Sequence, residues 1–459
     1  MTTTKIASLR EAAIRVADRT VSPVDLTKAC LARIDARNPE LRAFISVMAD
    51  EALAEAARAE KEIGRGRYRG ALHGIPVSVK DLVDVAGTPT TSGSNVPARR
   101  AQHDAPVVGN LRRAGAVIIG KTNLHEFAFG TTSDETAFGA VRNPYDLSRS
   151  PGGSSGGAAV AIVEGMCYGA VGTDTGGSIR IPSAACGITG LKPTFGEIST
   201  DGVVPLSTTL DHVGPLAANV GDAALLFHAM FDAGARLEEA PAPADAALWL
   251  GVPVPYFLEK LDSDVRRLFS DVRASLERVG HTISDVAIAH AERTADAYLH
   301  IVLPEASWYH APMLRDHADK YSPGVRLRLE MGRYVLAEDY LRALQARSVL
   351  RRAVDRALEG LDALLLPAMP IGAPPIGAST VSVGDATEPV RAIMLRLTQL
   401  FNMTGHPAIV MPCGRGADGL PRALQLVGHR GSTDRLLEVA LAVERQITGG
   451  DGSVGGGTG

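Results

Sequence analysis

The chain has 459 residues, 45% of them hydrophobic, and its 47 Lys and Arg against 51 Asp and Glu give a formal net charge of −4. This length and apolar content suffice for a large globular core. Modules that bind nucleic acid usually carry a concentrated basic excess, so the charge balance disfavours nucleic acid as a partner. Four cysteines without a CxxC spacing favour a reducing cytoplasm over an exported disulfide scaffold.

Neither a leader peptide nor a membrane span is indicated by the apolar pattern. The first 20 residues carry charges throughout and have no apolar central region, so they do not read as a signal peptide. Residues 363–384 are uncharged over about the length of a membrane span, but four prolines would break a helix there. We therefore expect a short strand, DALLLP, followed by a rigid loop, and a cytoplasmic protein with no membrane partner.

Helices are predicted at the start of the chain. Ser8 stands three residues before a glutamate, which is a capping-box spacing, and Ser22 followed by proline is a second helix start. The alanine-rich, charged residues 52–62 predict a further helix. We expect residues 1–64 to form helices that pack on the core.

The remainder has the pattern of an α/β protein. In residues 65–235, β-branched runs (IPVSV, AVII, AVGTD) alternate with helix-like stretches (PVVGNLRRAG, AAVAIVEGM), which predicts a core with a largely buried sheet. Residues 236–448 predict a second lobe of helices, with strands in ALWLGVPVP, DALLLP, PAIVMPCG and RALQLVG that complete the sheet late in the chain. Residues 449–459 form a glycine-rich stretch that we expect to be flexible.

One motif suggests a nucleotide-binding loop but has the wrong context. The residues GAVIIGKT at 115–122 satisfy the pattern G-x-x-x-x-G-K-T. In a phosphate-binding loop the intervening residues cradle the phosphates, whereas here they are an apolar run suited to a buried strand. We therefore predict a strand at this position.

A second motif resembles the nucleophile elbow of α/β-hydrolases. GGSSG at 152–156 satisfies G-x-S-x-G with Ser154 as nucleophile, but the preceding NPYDLSRSPG is polar and contains prolines where the elbow needs a strand. An elbow nucleophile needs a histidine as its base, and His212 is the best candidate in this sequence. A lone histidine, however, more commonly has a structural role. His125 lacks the second histidine of the HExxH zinc motif, and no metal site is visible.

Two serines and one lysine offer an alternative chemistry. Ser154 in SPGGSSGG and Ser178 in GTDTGGSIR lie 24 positions apart in glycine-rich runs, and Lys80 follows the strand-like IPVSV. These features are compatible with surface turns and an exposed lysine. A strand that carried Lys80 inward would instead favour its neutral form, and lowering its pKa from about 10.4 to near 7 takes roughly 4 to 5 kcal/mol. A neutral lysine can act as the base that activates a serine.

The second glycine run also offers backbone donors. Successive N–H groups in GTDTGGS can point at one oxygen and form an oxyanion hole for a tetrahedral intermediate. The candidate donors are Thr175, Gly176, Gly177 and Ser178.

Together, PVSVKD, SPGGSSGG, GTDTGGSIRIPSAACGITGLKP and LDHVGPLA resemble the amidase signature enzymes. The motif-rich part covers about residues 74–215, and the helical start and the late strands also resemble this family's chain plan. The resemblance implies an α/β amidase signature fold with a large, mixed, mostly parallel β-sheet covered on both faces by α-helices.

The resemblance also implies a Ser-cisSer-Lys triad. Ser178 is then the nucleophile, Ser154 the bridging serine, and Lys80 the base. The family's bridging serine is the first of its pair and follows a cis peptide bond, which here is the bond between Gly153 and Ser154. No metal and no organic cofactor is implied. The resemblance also implies a homodimer, and residues 1–64 are the candidate contact between its two copies.

The implied function is amide hydrolysis. The enzyme would cleave a carboxylic amide or urea-like bond of a small molecule to an acid and ammonia or an amine, through an acyl-enzyme on Ser178. Phe129, Gly130 and Thr131 are weaker candidates for substrate binding. Asp174 and Arg180 are expected to hold the loop through a salt bridge or hydrogen bonds.

A different function remains open within the same resemblance. A related chain serves as the glutaminase subunit of a tRNA-dependent amidotransferase, releasing ammonia from glutamine for its partner. The region after Pro304 is more similar to that of degradative amidases, which favours a stand-alone enzyme. A binding module without catalytic activity is disfavoured because all three chemical residues are present.

Overall fold

The computed structural model describes residues 7–231, 241–244 and 246–449. The predicted boundary at residue 235 and the glycine-rich stretch after residue 449 lie outside these ranges. The α-helices are α1 (Leu9–Ala17), α2 (Pro23–Leu41), α3 (Ala49–Gly64), α4 (Pro106–Arg113), α5 (Gly156–Val163), α6 (Arg180–Cys186), α7 (Val220–Phe231), α8 (Ser263–Arg278), α9 (Thr294–His317), α10 (Pro323–Gly332), α11 (Ala337–Ala357), α12 (Val390–Leu395), α13 (Gln399–Thr404) and α14 (Thr433–Gly449).

The strands cover the segments that the β-branched runs predict. They are β1 (Phe44–Val47), β2 (Pro76–Lys80), β3 (Pro89–Thr90), β4 (Arg99–Arg100), β5 (Val117–Thr122), β6 (Gly169–Asp174), β7 (Thr189–Lys192), β8 (His212–Ala217), β9 (Trp249–Pro253), β10 (Thr282–Val286), β11 (Ala363–Pro367), β12 (Thr380–Val383), β13 (Ala386–Pro389), β14 (Ala408–Arg415) and β15 (Pro421–Val427). The segment that resembles a phosphate-binding loop contains β5, which is fully buried, so its interpretation as a strand is confirmed.

Eleven strands of the described chain form one sheet in the order β1-β5-β2-β6-β8-β7-β14-β15-β11-β9-β10. Parallel pairing occurs in two blocks, β5-β2-β6 and β11-β9-β10. The other six adjacent pairs are antiparallel and include the whole centre from β6 to β11. Parallel pairing is thus confined to strands joined by crossovers, as in β2-α4-β5, whereas β14 and β15 form a hairpin.

Helices cover both faces of this sheet, which confirms the predicted α/β layering. Side chains alternate along β5: Val117 and Ile119 belong to the core cluster that includes residues of α2, α3 and α5. Ile118 points the other way, into the larger cluster with α1, α4, α7 and α14. Strands buried on both faces read as continuous apolar runs, which explains the pattern of β5.

Both predicted helix caps at the start of the chain are present. The hydroxyl of Ser8 accepts the amide N–H of Glu11, and that of Ser22 accepts the N–H of Val24. The carboxylate of Asp222, in α7, accepts the N–H of Leu9 at 2.9 Å, and so ties α1 to the sheet-covering helix α7.

Strands from the last third of the chain are inserted into the same sheet. β14 pairs with β7, and β11 pairs with both β15 and β9. One continuous sheet therefore runs through the segments 65–235 and 236–448, and it places late residues next to the serine loops. Among the described helices, none combines the length and the apolar character that a bilayer crossing requires.

Candidate active site

Lys80 is the last residue of β2, and its side chain is completely buried. Its Nζ donates to Ser154 Oγ at 2.7 Å and to Thr173 Oγ1 at 2.9 Å. Burial lowers the pKa of Lys80 to about 7, against the opposing effect of the carboxylates of Asp174 and Asp211. At neutral pH a substantial fraction of this amine is therefore unprotonated.

Ser154 lies in the turn before α5 and is fully buried. The peptide bond between Gly153 and Ser154 is cis, as the resemblance implies. A Cβ placed on Gly153 would lie 2.8 Å from the backbone nitrogen of Thr132, so only glycine fits this close approach. The carbonyl of Ser154 accepts the N–H of His125 at 3.2 Å and the hydroxyl of Ser133 at 3.3 Å, which fixes the turn.

Ser178 lies in the short connection between β6 and α6 and is 6% exposed. Its carbonyl accepts the backbone N–H of Ser155 at 3.2 Å, so the two glycine-rich runs lie side by side. Within the described ranges, no hydrogen bond joins the hydroxyl of Ser178 to that of Ser154. The structure thus joins Lys80 directly to Ser154 and brings Ser178 next to them through the backbone.

The backbone before Ser178 is held in place by a residue from far along the chain. The hydroxyl of Thr398 donates to the carbonyl of Gly176 at 2.5 Å. Gly177 adopts a φ of +145°, which favours glycine. In the part of the chain that the structure describes, the predicted oxyanion donors have no acceptor for their backbone N–H groups: Thr175, Gly176, Gly177 and Ser178.

A buried ion pair supports this loop, as expected. The guanidinium of Arg180 donates to both carboxylate oxygens of Asp174 at 3.0 Å, and both side chains are fully buried. It also donates to Gln425 Oε1, to the carbonyl of Thr398 and to Asn402 Oδ1. Burial alone would raise the pKa of Asp174, but Arg180 holds it below its ordinary value. The pair of Asp174 and Arg180 therefore fixes the loop between β6 and α6 to the later part of the chain.

Asp211 is a further member of the site that the sequence interpretation missed. Its carboxylate accepts the hydroxyl of Thr175 at 2.5 Å and the backbone N–H groups of Leu206 and Ser207 at 2.9 and 3.1 Å. Burial raises its pKa to about 6, although these hydrogen bonds oppose the rise. Asp211 thus links the loop that ends at Ser178 to the charge environment of Lys80.

Asp211 directly precedes His212, which the sequence analysis considered as a base. Within LDHVGP, His212 drew attention as a base for the elbow motif, but its Nδ1 lies 2.7 Å from the carbonyl oxygen of Leu210. Burial lowers the pKa of His212 well below its ordinary value. A neutral, buried histidine of this kind has a structural role, as expected.

A cavity of about 450 Å³, which we call the first cavity, is bordered by Thr132, whose backbone nitrogen lies against Gly153. The candidates Gly130 and Thr131 line it, together with Arg328 and Arg391. Phe129 is completely buried beneath it, with the guanidinium carbons of Arg328 and Arg391 at 5.3 and 5.5 Å from its ring centre. Among the described side chains, no group of His, Cys, Asp and Glu is arranged to hold a metal ion.

The sequence and the fold of this chain are similar to those of known proteins. Residues 25–437 match the family described as Amidase. The chain is 39% identical to an amidase of Pseudomonas putida, with 96% of each chain covered. It is 37% identical to a Glutamyl-tRNA(Gln) amidotransferase subunit of Anaeromyxobacter dehalogenans, again over 96% of each. A crystal structure of an amidase superposes with a TM-score of 0.91 at 35% identity and covers 96% of this chain and 100% of that one.

Proposed function

The chain belongs to the amidase family of hydrolases that act on C–N bonds, and on this premise we propose that it is an amidohydrolase for a small amide or urea-like compound. The proposal depends on one observation above all: the buried amine of Lys80 lies 2.7 Å from the hydroxyl of Ser154. A lysine without its proton beside a serine is the base that a serine nucleophile needs. Ser178, in the adjacent run, is the proposed nucleophile.

In the proposed mechanism a proton passes along these three side chains. Neutral Lys80 accepts the proton of Ser154, and Ser154 accepts that of Ser178, whose oxygen attacks the amide carbonyl carbon. The tetrahedral oxyanion is bound by the free backbone N–H groups of the loop that ends at Ser178. Ser154 then protonates the leaving nitrogen as the C–N bond breaks and the acyl-enzyme forms.

The second half of the cycle uses the same groups in reverse. Water gives a proton to the relay through Ser154, attacks the ester carbon and releases the acid, while the proton returns to Ser178. The buried environment suits this use because it lowers the pKa of Lys80 to about 7, close to the working pH at which a general base is most effective.

The test is the Ser178→Ala variant, with Ser155→Ala as a matched control from the neighbouring run. A screen of aliphatic, aryl and ureido amides, including glutamine, first finds a substrate for the native protein. We expect Ser178→Ala to abolish its hydrolysis and mass spectrometry of the native protein to find an acyl adduct on Ser178. Undiminished hydrolysis by Ser178→Ala would overturn the proposal.

A second function is favoured by the 37% identity to an amidotransferase subunit. In that case the same groups would release ammonia from glutamine for a partner protein. Copurification of two partner proteins together with glutaminase activity decides for this function, and a native protein that hydrolyses other amides alone decides against it. The homodimer and the cytoplasmic location stay predictions, which light scattering and cell fractionation can test.

A further inference from the structure

Arg391, in the first turn of α12, carries a charge that no described residue neutralises. Its guanidinium lies over the ring of Phe129, and its Nε is buried without an acceptor. It forms neither a hydrogen bond nor an ion pair within the described ranges. The nearby arginines differ, because Arg328 pairs with Glu135 at 3.2 Å and Arg396 donates to the carbonyl of Tyr256 at 2.6 Å.

Arg391 lines two cavities, and each of them is bordered by a residue that lies against one of the two glycine-rich runs. It lines the first cavity together with Thr132, whose backbone nitrogen lies against Gly153 before the bridging serine. It also lines a second cavity of about 280 Å³, together with Tyr298 and Leu395.

Those two residues border the loop of the nucleophile. A Cβ placed on Gly176 would lie 2.6 Å from the hydroxyl oxygen of Tyr298 and 3.0 Å from Cδ2 of Leu395. Tyr298 and Leu395 thus lie between the second cavity and the loop that ends at Ser178, and Arg391 is one side chain away from that loop.

The carboxylates around the first cavity are already engaged elsewhere. Asp134 accepts the hydroxyl of Thr132 at 2.5 Å and the backbone N–H of Gly377 at 3.0 Å. Glu135 pairs with Arg328 and lies 3.3 Å from Nε2 of His125. Neither carboxylate contacts Arg391.

Arg391 is nevertheless charged at neutral pH. Burial lowers its pKa to about 10, with Tyr298 opposing this shift and Arg328 adding to it, and the guanidinium is still protonated. A half-buried guanidinium without an acceptor loses solvation that a ligand anion can restore. The planar donor fork of arginine matches a carboxylate, because two parallel hydrogen bonds can form.

We propose that Arg391 binds a carboxylate at the far end of the substrate, so that the preferred substrates are small amides that carry a negative charge, such as monoamides of dicarboxylic acids. This inference rests on the proposed amidohydrolase function. It also implies that an amide with an ammonium group at the same position is disfavoured, because that group would meet the unpaired guanidinium of Arg391.

The experiment compares three amides of similar length: succinamate, the uncharged butyramide and the cationic β-alaninamide. For the native protein we expect kcat/KM to be at least about 30-fold higher for succinamate than for butyramide, and lowest for β-alaninamide, as for charged hydrogen-bonding groups at desolvated sites. Arg391→Met should reduce the succinamate-to-butyramide ratio by about 30-fold or more, mainly through KM. Arg391→Lys should restore part of it.

Arg415→Met is the matched control, because the guanidinium carbon of Arg415 lies 4.4 Å from the ring centre of Tyr145, outside both cavities. In Arg415→Met the ratio of kcat/KM for succinamate to that for butyramide should stay within about threefold of the native ratio. A native ratio near one, or a ratio that Arg391→Met leaves unchanged, overturns the inference. If the methionine variant does not fold, as judged by circular dichroism, Arg391→Gln takes its place.

A binding measurement separates this inference from the proposed function. Succinate, the expected product, is titrated calorimetrically into the native protein, into Ser178→Ala and into Arg391→Met. Binding to the first two and a loss of at least about tenfold in the third support the carboxylate site even if no amide is hydrolysed. Amide hydrolysis without a succinate signal in the native protein supports the amidase and overturns the carboxylate site.

Discussion

The amine of Lys80 and the hydroxyl of Ser154 lie 2.7 Å apart, and both side chains are inaccessible to solvent. A base in such a site must lose its proton before it can act, and burial lowers the pKa of Lys80 to about 7. We therefore expect kcat/KM to fall about tenfold per pH unit below pH 7 and to level off above it, as for a single essential base. A profile with its midpoint near 10 would contradict this assignment.

The charge of Asp211 should set the position of that midpoint. Asp211 and Asp174 raise the pKa of Lys80 against the larger effect of burial. Asp211→Asn removes one of these charges and keeps the side chain's size, so the pKa of Lys80 should fall and the acid limb of kcat/KM should move to lower pH. A pH-rate profile of the variant measures the shift, and a limb that moves to higher pH would show that Asp211 does not act through Lys80.

The neighbouring serines Ser154 and Ser155 provide a matched pair. Ser154 contacts Lys80, whereas the hydroxyl of Ser155 donates to the backbone carbonyl of Thr173 at 3.3 Å. We expect Ser154→Ala to lower kcat by about 10² to 10⁴, as expected for loss of a proton-transfer group, with little change in KM. Ser155→Ala should lower kcat by less than about tenfold. Steady-state kinetics on one amide checks both, and equal losses would argue against a relay through Ser154.

The pair formed by Asp174 and Arg180 should dominate the stability of the loop. Asp174→Asn leaves a buried guanidinium without its counter-charge, which typically costs about 3 to 5 kcal/mol. The control Glu330→Gln breaks an exposed pair with Arg326, and exposed pairs contribute less than about 1 kcal/mol. Urea denaturation of both variants measures the free energies of unfolding. A loss below about 1 kcal/mol for Asp174→Asn would show that the loop does not depend on this pair.

Local features of the fold could be predicted from the sequence because their causes are local. Ser8 and Ser22 cap helices within three residues of themselves, and the apolar run of β5 identifies a strand buried on both faces. The burial of Lys80 was left open by the sequence, which was also compatible with an exposed lysine, and the structure shows that β2 carries this side chain into the interior.

The remaining contacts of the site come from residues far apart in the chain. Thr398 reaches the carbonyl of Gly176 across 222 positions, and nothing in the pattern around either residue signals the contact. Arg391 stands in an ordinary helical turn, and only the folded structure shows that its charge has no partner among the described residues. Asp211 lies in the recognised motif LDHVGP, but the sequence does not show that its carboxylate accepts the hydroxyl of Thr175, 36 positions earlier.

The hydrogen bonds of Arg180 to Asn402 and Gln425 also bear on how this protein matures during synthesis. The three side chains of the proposed triad are made within the first 178 residues, yet the loop that carries Ser178 is held by side chains made more than 200 residues later. A nascent chain that has emerged only as far as the end of α11 therefore carries the proposed triad without the support of Asn402 and Gln425. We expect amide hydrolysis to begin only after β15 has left the ribosome and entered the sheet.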